Sequence, residues 1–417
     1  MNSKLRIIVT GLIGQHYALA GVTWDYIQYA IGLKKLGHDV YYFEDTGEWP
    51  YTPDGGPTGN EWVAQDCKKN TEHLQAVFSR YGLGDRWAYH FPTKSEWYGL
   101  PDQRRKEIIR TADLLINVSG TLENPAGYRA VNCLAYIDSD PGFTQVKLIN
   151  NDQAFCERVS AHDIHFSFGE QLPVDLFPTD YHWHPTRTPI ALSEWRPAKT
   201  HNNSYTTIMN WTSYKPLALG NRIFGQKDLE FVKFLDLPRQ LPGVPLEVAV
   251  AKTQHKNWQS ILPGTEQLRF DAPQAMLQHY GWQVIDPAER CGDIDSYRRY
   301  IETSKGEWSV AKNGYVVGQS GWFSCRSACY IAAGRPVVVQ STGFEDVLPV
   351  GEGVLSFRTL EEAKRAIETI ENDYRRHSEA ARAIAEDCFK AEKVVSDLIE
   401  TALNKSTTTP KLQAETL

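Results

Sequence analysis

Apolar runs and stretches of helical spacing alternate along almost the whole chain, and the alternation predicts its elements. LRIIVTGLI (5–13) is a continuous apolar run, the pattern of a strand buried on both faces of a parallel sheet. TWDYIQYAIGLKKLG (23–37) places apolar residues three and four apart, with Thr23 as the candidate N-cap and Gly37 as the stop. HDVYYFED (38–45) reads as the second strand, completing a βαβ unit whose functional loops lie at the strand C-termini. Further strands are expected at DLLINVSG (113–120), CLAYIDSD (133–140) and IHFSFGE (164–170), with helices near 61–80 and 101–111. From about 171 to 204 the pattern gives way to Pro, His and polar residues, the character of an interdomain connection.

A second alternating set begins with YTTIMN (205–210) and a helix near 226–236. It continues through EVAV (247–250), WQVID (282–286) and a helix near 294–304. YVVGQS (315–320), a helix near 324–333, PVVVQ (336–340) and GVLSF (353–357) complete it. Helices follow at 360–372 and about 376–404, and the tail 405–417 has no apolar periodicity and is expected to be disordered. The order predicts an α/β protein of two Rossmann-like parallel-sheet domains, 1–190 and 191–390, facing across a cleft. A helix over 391–404 can cross back to the first domain.

Composition narrows the function. Of 417 residues, 44 are Lys or Arg and 51 are Asp or Glu, a net charge of −7 with no basic block. Phosphate-backbone binding needs a positive surface, so a nucleic-acid partner is not expected. Seven cysteines without a CxxC pair argue against a disulfide framework or a structural zinc site. No apolar run reaches the length of a membrane span and the N-terminus enters a strand directly, so a cytoplasmic protein is expected. The aromatic load is heavy, with 12 Trp, 20 Tyr and 16 Phe, and is divided between core packing and stacking faces in a cleft. Trp24, Trp49, Trp211 and Trp322 fall in loops or helix starts expected to face that cleft.

The most specific segment is SGWFSCRSACYIAAGRPVVVQSTGFEDVLPVGEGVLSF (320–357). Ser320, Gly321, Ser324 and Ser327 are small or hydroxylic residues where a helix begins, and open N–H groups there favour an anion. Arg326 can add a bidentate phosphate contact; the bland alternative makes Ser324 a simple cap and Arg326 a solvated side chain. The segment resembles the nucleotide-sugar-binding half of GT-B-fold glycosyltransferases. The resemblance rests on Ala333-Gly334-Arg335-Pro336-Val337-Val338, Thr342-Gly343-Phe344-Glu345 and Gly351-Glu352-Gly353-Val354-Leu355. Ala20-Gly21-Val22 and Leu36-Gly37-His38-Asp39-Val40 resemble the first domain of those enzymes. Retaining relatives often carry Glu at the helix start, where this chain has about Cys329.

The resemblance implies a hexosyltransferase-type enzyme that moves a sugar from a nucleoside-diphosphate sugar, a substrate and not a cofactor, to an unidentified acceptor without a metal. It implies the diphosphate at the helix near Ser324, the loop Gln340 to Phe344 (with Thr342 and Gly343) and Trp322 beside the donor, and Glu345 on hydroxyls. Glu307, Ser309 and Lys312 are donor contacts or an ordinary surface helix. Thr212, Ser213 and Lys215, after the first strand of the second domain, are further donor candidates.

Inverting relatives place the base that deprotonates the acceptor after the first strand, where His16 and Asp25 are the candidates. His16 suits neutral pH unaided, and Asp25 is fixed on a helix. Trp24, Asp45, Asp138 and Asp140 are expected on the acceptor side. Asp138-Ser139-Asp140 is formally a DxD, read here as cleft-lining or structural. His162, His165, His182 and His184 are read as loop residues, not ligands. A nucleotide-sugar epimerase and a non-catalytic binding protein remain alternatives. A dehydrogenase is weaker, because Gly11-Leu12-Ile13-Gly14 supplies only two glycines, although Glu44 or Asp45 could mimic its ribose-binding acid.

Overall fold

The computed structural model describes residues 4–51, 66–198, 200–250, 260–261, 269–270 and 273–406. The expected disorder of the tail therefore falls, from residue 407 on, outside the described residues. The first sheet comprises β1 (Arg6–Thr10), β2 (Asp39–Glu44), β3 (Trp87–Phe91), β4 (Glu96–Gly99), β5 (Leu114–Val118), β6 (Leu134–Asp138), β7 (Ile164–Ser167) and β8 (Trp183–Pro185). Its order is β4-β3-β2-β1-β5-β6-β7-β8, parallel throughout except for the β3–β4 hairpin. The second half holds β9 (Tyr205–Met209), β10 (Leu217–Leu219), β11 (Arg222–Phe224), β12 (Leu246–Val250), β13 (Ser260–Ile261), β14 (Arg269–Phe270), β15 (Gln283–Ile285), β16 (Gly306–Ser309), β17 (Val337–Gln340) and β18 (Val354–Phe357). Six of these form a parallel sheet in the order β15-β12-β9-β16-β17-β18. Both orders reverse direction at a central strand, β1 in one sheet and β9 in the other, and such switch points open crevices at the strand C-termini.

Most apolar runs form the strands they predict, because each is buried on both faces. Three expectations fail. YVVGQS is not a strand: residues Asn313–Gly318 form a helix, ended by Gln319 in the left-handed region (φ 42°). The strand of this region is Gly306–Ser309, four fully enclosed residues between β9 and β17. Runs this short carry no readable period, so burial decides. The helix expected over 376–404 is two, Tyr374–Cys388 and Ala391–Ser406. They part where Ile190 donates to Phe389 O (2.7 Å) and Ala391 donates to Ile190 O (2.9 Å). The second then lies along the first helix of the chain, Ala20–Lys35, with the Ala391 methyl against Gly32, where a Cβ would come within 2.9 Å. The first helix begins at Ala20, so Thr23 sits inside it and does not cap it.

The two sheets are joined by packed interfaces. Trp24, expected on the cleft face, is 1% exposed. Its ring lies 4.9 Å from that of Trp195 and its indole N–H donates to Ile294 O at 3.0 Å. Trp211 is likewise buried, against Phe231 (5.4 Å). Half of the Trp residues expected at the cleft are thus core. Trp24→Ala should cost about 3–5 kcal/mol of stability, read as a fall in Tm, because it leaves a large void between the two halves. A second interface joins Phe143 and Phe177 of the first half to Phe224 and Tyr315 of the second. Gly314 is required there: a Cβ would stand 2.4 Å from the Phe143 ring.

Candidate active site

The helix Cys325–Ala332 starts at the C-terminal edge of the second sheet. Ser324 occupies its N-cap, yet the hydroxyl caps no backbone N–H, so the first-turn amides stay open toward a pocket. Ser309, Trp322, Ser324, Arg326, Ser327, Gln340 and Phe344 line it. Buried polar atoms without a partner gather in these segments: Ser327 Oγ, Trp322 Nε1, Ser320 Oγ, Ser341 Oγ and Glu307 Oε2. Unpaired buried polar atoms are costly, and their concentration at one helix start marks a site for a polar ligand.

Arg326 is fixed rather than solvated. Its Nε donates to Glu307 Oε1 (2.6 Å) and its Nη1 to Ile208 O (2.6 Å), and Glu307 is fully buried. Nη2 has no protein partner among the described residues. Lys227 stands beside this pair, and its ammonium has no hydrogen-bond partner among the described residues. Burial pushes its pKa well below the usual range, the charges of Arg326 and Lys312 act the same way, and Glu307 opposes them. Next to it Gln226, 3% exposed, leaves its Nε2 unpaired. The fixed Arg326 charge and the free donors of Lys227 and Gln226 thus outnumber acceptors around the open helix end, which is the arrangement that takes an anion.

The first half of the chain brings one carboxyl within electrostatic reach of Arg326. Asp25, on the first helix, has no hydrogen-bond partner among the described residues. Burial raises its carboxyl to about 7, against the pull of the Arg326 charge. A carboxyl poised at that pKa can exchange a proton at neutral pH. His16 lies on the loop after β1, where burial lowers its pKa below 6.5 and keeps the ring neutral; its Nδ1 is unpaired. This loop is held by Glu44, a buried carboxyl that accepts from Gly14 N (2.8 Å), Gln15 N and Tyr42 Oη (2.8 Å). Burial pushes Glu44 up to about 7 despite these bonds. The β1 turn amides that would cradle a dinucleotide are therefore taken by the protein's own carboxylate, which removes the basis for the dehydrogenase reading.

Asp140 closes the cleft across the two halves. It accepts from Lys312 Nζ (3.0 Å) and from the hydroxyls of Tyr214 and Tyr315. Asp140→Ala should loosen this clasp and enlarge the particle, read as a rise in radius of gyration by small-angle scattering.

The other candidates fall into three groups. Asp138 is 1% exposed and accepts from Asp140 N, Thr144, Gln145 and Ser167, so it organises the loop after β6 instead of lining the acceptor side. Burial raises it to about 6, and its side-chain donors resist. Asp45, half-buried, pairs with His90 (2.8 Å) and accepts from Tyr128 (2.8 Å). Gln340 lines the pocket, but its amide is tied to Glu230 (2.6 Å) and Ala311 N (3.1 Å). Thr342 donates to Trp322 O, and Gly343 (φ 87°) turns the chain beside it. Gly321 (φ 79°) accepts no side chain without strain and donates to Thr342 O at 2.9 Å. Trp322 is partly exposed and stacks on Tyr315, centroids 4.0 Å apart. Glu345 faces Arg358 with one oxygen (3.4 Å) and leaves the other unpaired. Ser213 and Lys215 are exposed and Thr212 is half-buried; from this loop it is Tyr214 that reaches the clasp. Among the described residues no group of three or more His, Cys, Asp or Glu is placed to hold a metal ion. The seven cysteines form no disulfide. Lys227, Gln226 and Tyr214 carry no signal in the sequence, and Glu44, read there only as a stand-in for a ribose-binding acid, holds the β1 loop instead; GQKDLE reads as an ordinary polar helix start, and only the fold sets Lys227 beside Arg326.

Comparison with protein-family models and with curated sequences finds no match. Solved structures do match over nearly the full chain. An alpha-glucosyltransferase in complex with UDP and a 13-mer DNA aligns at TM-score 0.57 and 12% identity, over 96% of this chain and 100% of its own. Anabaena HepE in complex with UDP aligns at 0.55 and 11%, over 96% and 100%. Sucrose-phosphate synthase from Thermosynechococcus elongatus aligns at 0.52 and 13%, over 97% and 99%. The chain has the GT-B fold. In GT-B terms the two sheets are the two Rossmann-like domains, and the pocket lies at the Cys325–Ala332 helix of the second. No described helix is long and apolar enough to cross a membrane.

Proposed function

We propose that the protein is a glycosyltransferase that moves a sugar from a nucleoside-diphosphate sugar to an acceptor hydroxyl. The observation that carries this reading is the donor-rich, open helix start of Arg326, Lys227, Ser324 and Ser327, set against the raised carboxyl of Asp25. UDP bound in two of the matched structures fits the same reading. In the reaction the acceptor oxygen forms a bond to the anomeric carbon as the bond from that carbon to the diphosphate oxygen breaks. The diphosphate leaves with the electron pair, toward Arg326, Lys227 and the helix amides, which stabilise charge that grows in the transition state. The acceptor proton passes to Asp25. Helix amides and fixed cations supply the electrostatics without a metal.

DNA, bound by the first matched protein, is not the acceptor favoured here, since the chain carries a net charge of −7 and no basic block. The test is incubation of the protein with UDP-, GDP-, ADP- and dTDP-sugars, following release of the nucleoside diphosphate. Slow hydrolysis of one donor class supports the reading. Failure to bind or cleave any of them overturns it.

A further inference from the structure

The clasp at Asp140 adjoins the pocket at the Cys325–Ala332 helix. Ala311, the residue before Lys312, lines that pocket, and so does Trp322, which stacks on Tyr315 of the clasp. The charge of Lys312 also reaches Lys227 beside Arg326. Yet the Lys312 ammonium is committed to the first half of the chain. Its Nζ donates to Asp140 Oδ1 (3.0 Å) and to Tyr214 Oη (2.9 Å). Three ring centroids surround it, those of Tyr214 at 4.7 Å, Phe143 at 5.2 Å and Tyr315 at 5.3 Å. The Phe143 ring stands at 88° to Tyr214 and 87° to Tyr315, so the rings form walls of a box. Aromatic walls and a carboxylate retain an ammonium ion, and here both halves of the chain supply them.

The neighbouring pocket is nearly filled by the protein. Its cavity volume is about 10 Å³, room for no more than a water molecule, whereas small-molecule sites run to roughly 300–1,000 Å³. A diphosphate can therefore enter only if contacts around the pocket yield.

We infer that the clasp is an autoinhibitory latch, in which Asp140 and a diphosphate ligand compete for the ammonium of Lys312. The inference rests on reading the pocket as a diphosphate site. An ammonium has three donors, and two of these are spent on Asp140 and Tyr214. Full engagement of an incoming anion requires Asp140 to let go. The Lys312 side chain is only 19% exposed, so salt screens its hold on Asp140 weakly. Asparagine at 140 removes the competing charge and still offers an oxygen to the two phenols.

The test is calorimetric titration of the full chain with pyrophosphate and with UDP. Wild type, Asp140→Asn, Lys312→Met and the double variant are compared, each checked for folding by thermal unfolding. Asp140→Asn is expected to bind both ligands roughly 3- to 30-fold more tightly than wild type. In the Lys312→Met background the same substitution should change affinity by less than about twofold. Unchanged or weaker binding in Asp140→Asn, or equal tightening with and without Lys312, overturns the inference. If pyrophosphate gives the expected pattern and UDP binds none of the four proteins, the latch stands and the glycosyl-transfer reading falls. If neither ligand binds any of them, both fall.

Discussion

Replacing Asp25 with asparagine is expected to cut turnover by orders of magnitude while making the protein more stable at alkaline pH. Loss of the proposed base should lower kcat by roughly 10²- to 10⁴-fold, and UDP affinity should hold, because the proposed diphosphate contacts lie elsewhere, at Arg326 and the helix start. The stability effect follows from linkage. The folded carboxyl sits at about 7, above its ordinary 3.8, because burial disfavours the charge. The wild type therefore loses stability as pH rises from about 4 to 7, and the loss is complete above 7. Asp25→Asn should melt higher than wild type at pH 8 and no higher at pH 4. The same ionisation gives wild-type kcat/KM an acidic limb falling tenfold per pH unit below about 7, absent in the residual activity of the variant. A variant that keeps its activity and its pH profile would place the base elsewhere, with His16 the next group to change.

Arg326→Ala is expected to damage both fold and donor binding, for separable reasons. Removing the guanidinium leaves the fully buried Glu307 with neither oxygen paired, a loss on the order of 3–5 kcal/mol. On the proposed function it also removes a charge-assisted contact to the diphosphate, so UDP should bind roughly 10- to 100-fold more weakly. The double variant Arg326→Met with Glu307→Gln separates the two, because it leaves no buried charge behind. Its Tm should recover most of the loss, while UDP binding, followed by calorimetry, should not return. Recovery of UDP binding in the double variant would make Arg326 structural only.

Much of this was legible in the sequence, and what was not has physical causes. β1, β5, β6 and β17 are largely apolar on both faces, so their runs stand out, and the Gly334-Arg335-Pro336 turn into β17 marks the end of the helix before it. The Gly306–Ser309 strand was hidden because Glu307, buried only by its pairing with Arg326, makes it look like a polar surface. Trp24 and Asp25 are neighbours in sequence, but a helix turns successive side chains about 100° apart. One therefore packs on Trp195 while the other faces Arg326. Asp138 and Asp140 likewise part company, the first enclosed by four donors and the second reaching across the cleft. Lys227 carries no local signal, since its role depends on charges about 85 to 100 residues further along the chain.

The most direct test of the account is the crystal structure of the protein with UDP. The diphosphate is predicted at the start of the Cys325–Ala332 helix, within hydrogen-bond distance of Arg326 and Lys227. Density for UDP at the β1 turn between Gly11 and Gly14, or no UDP bound at saturating concentration, would contradict it.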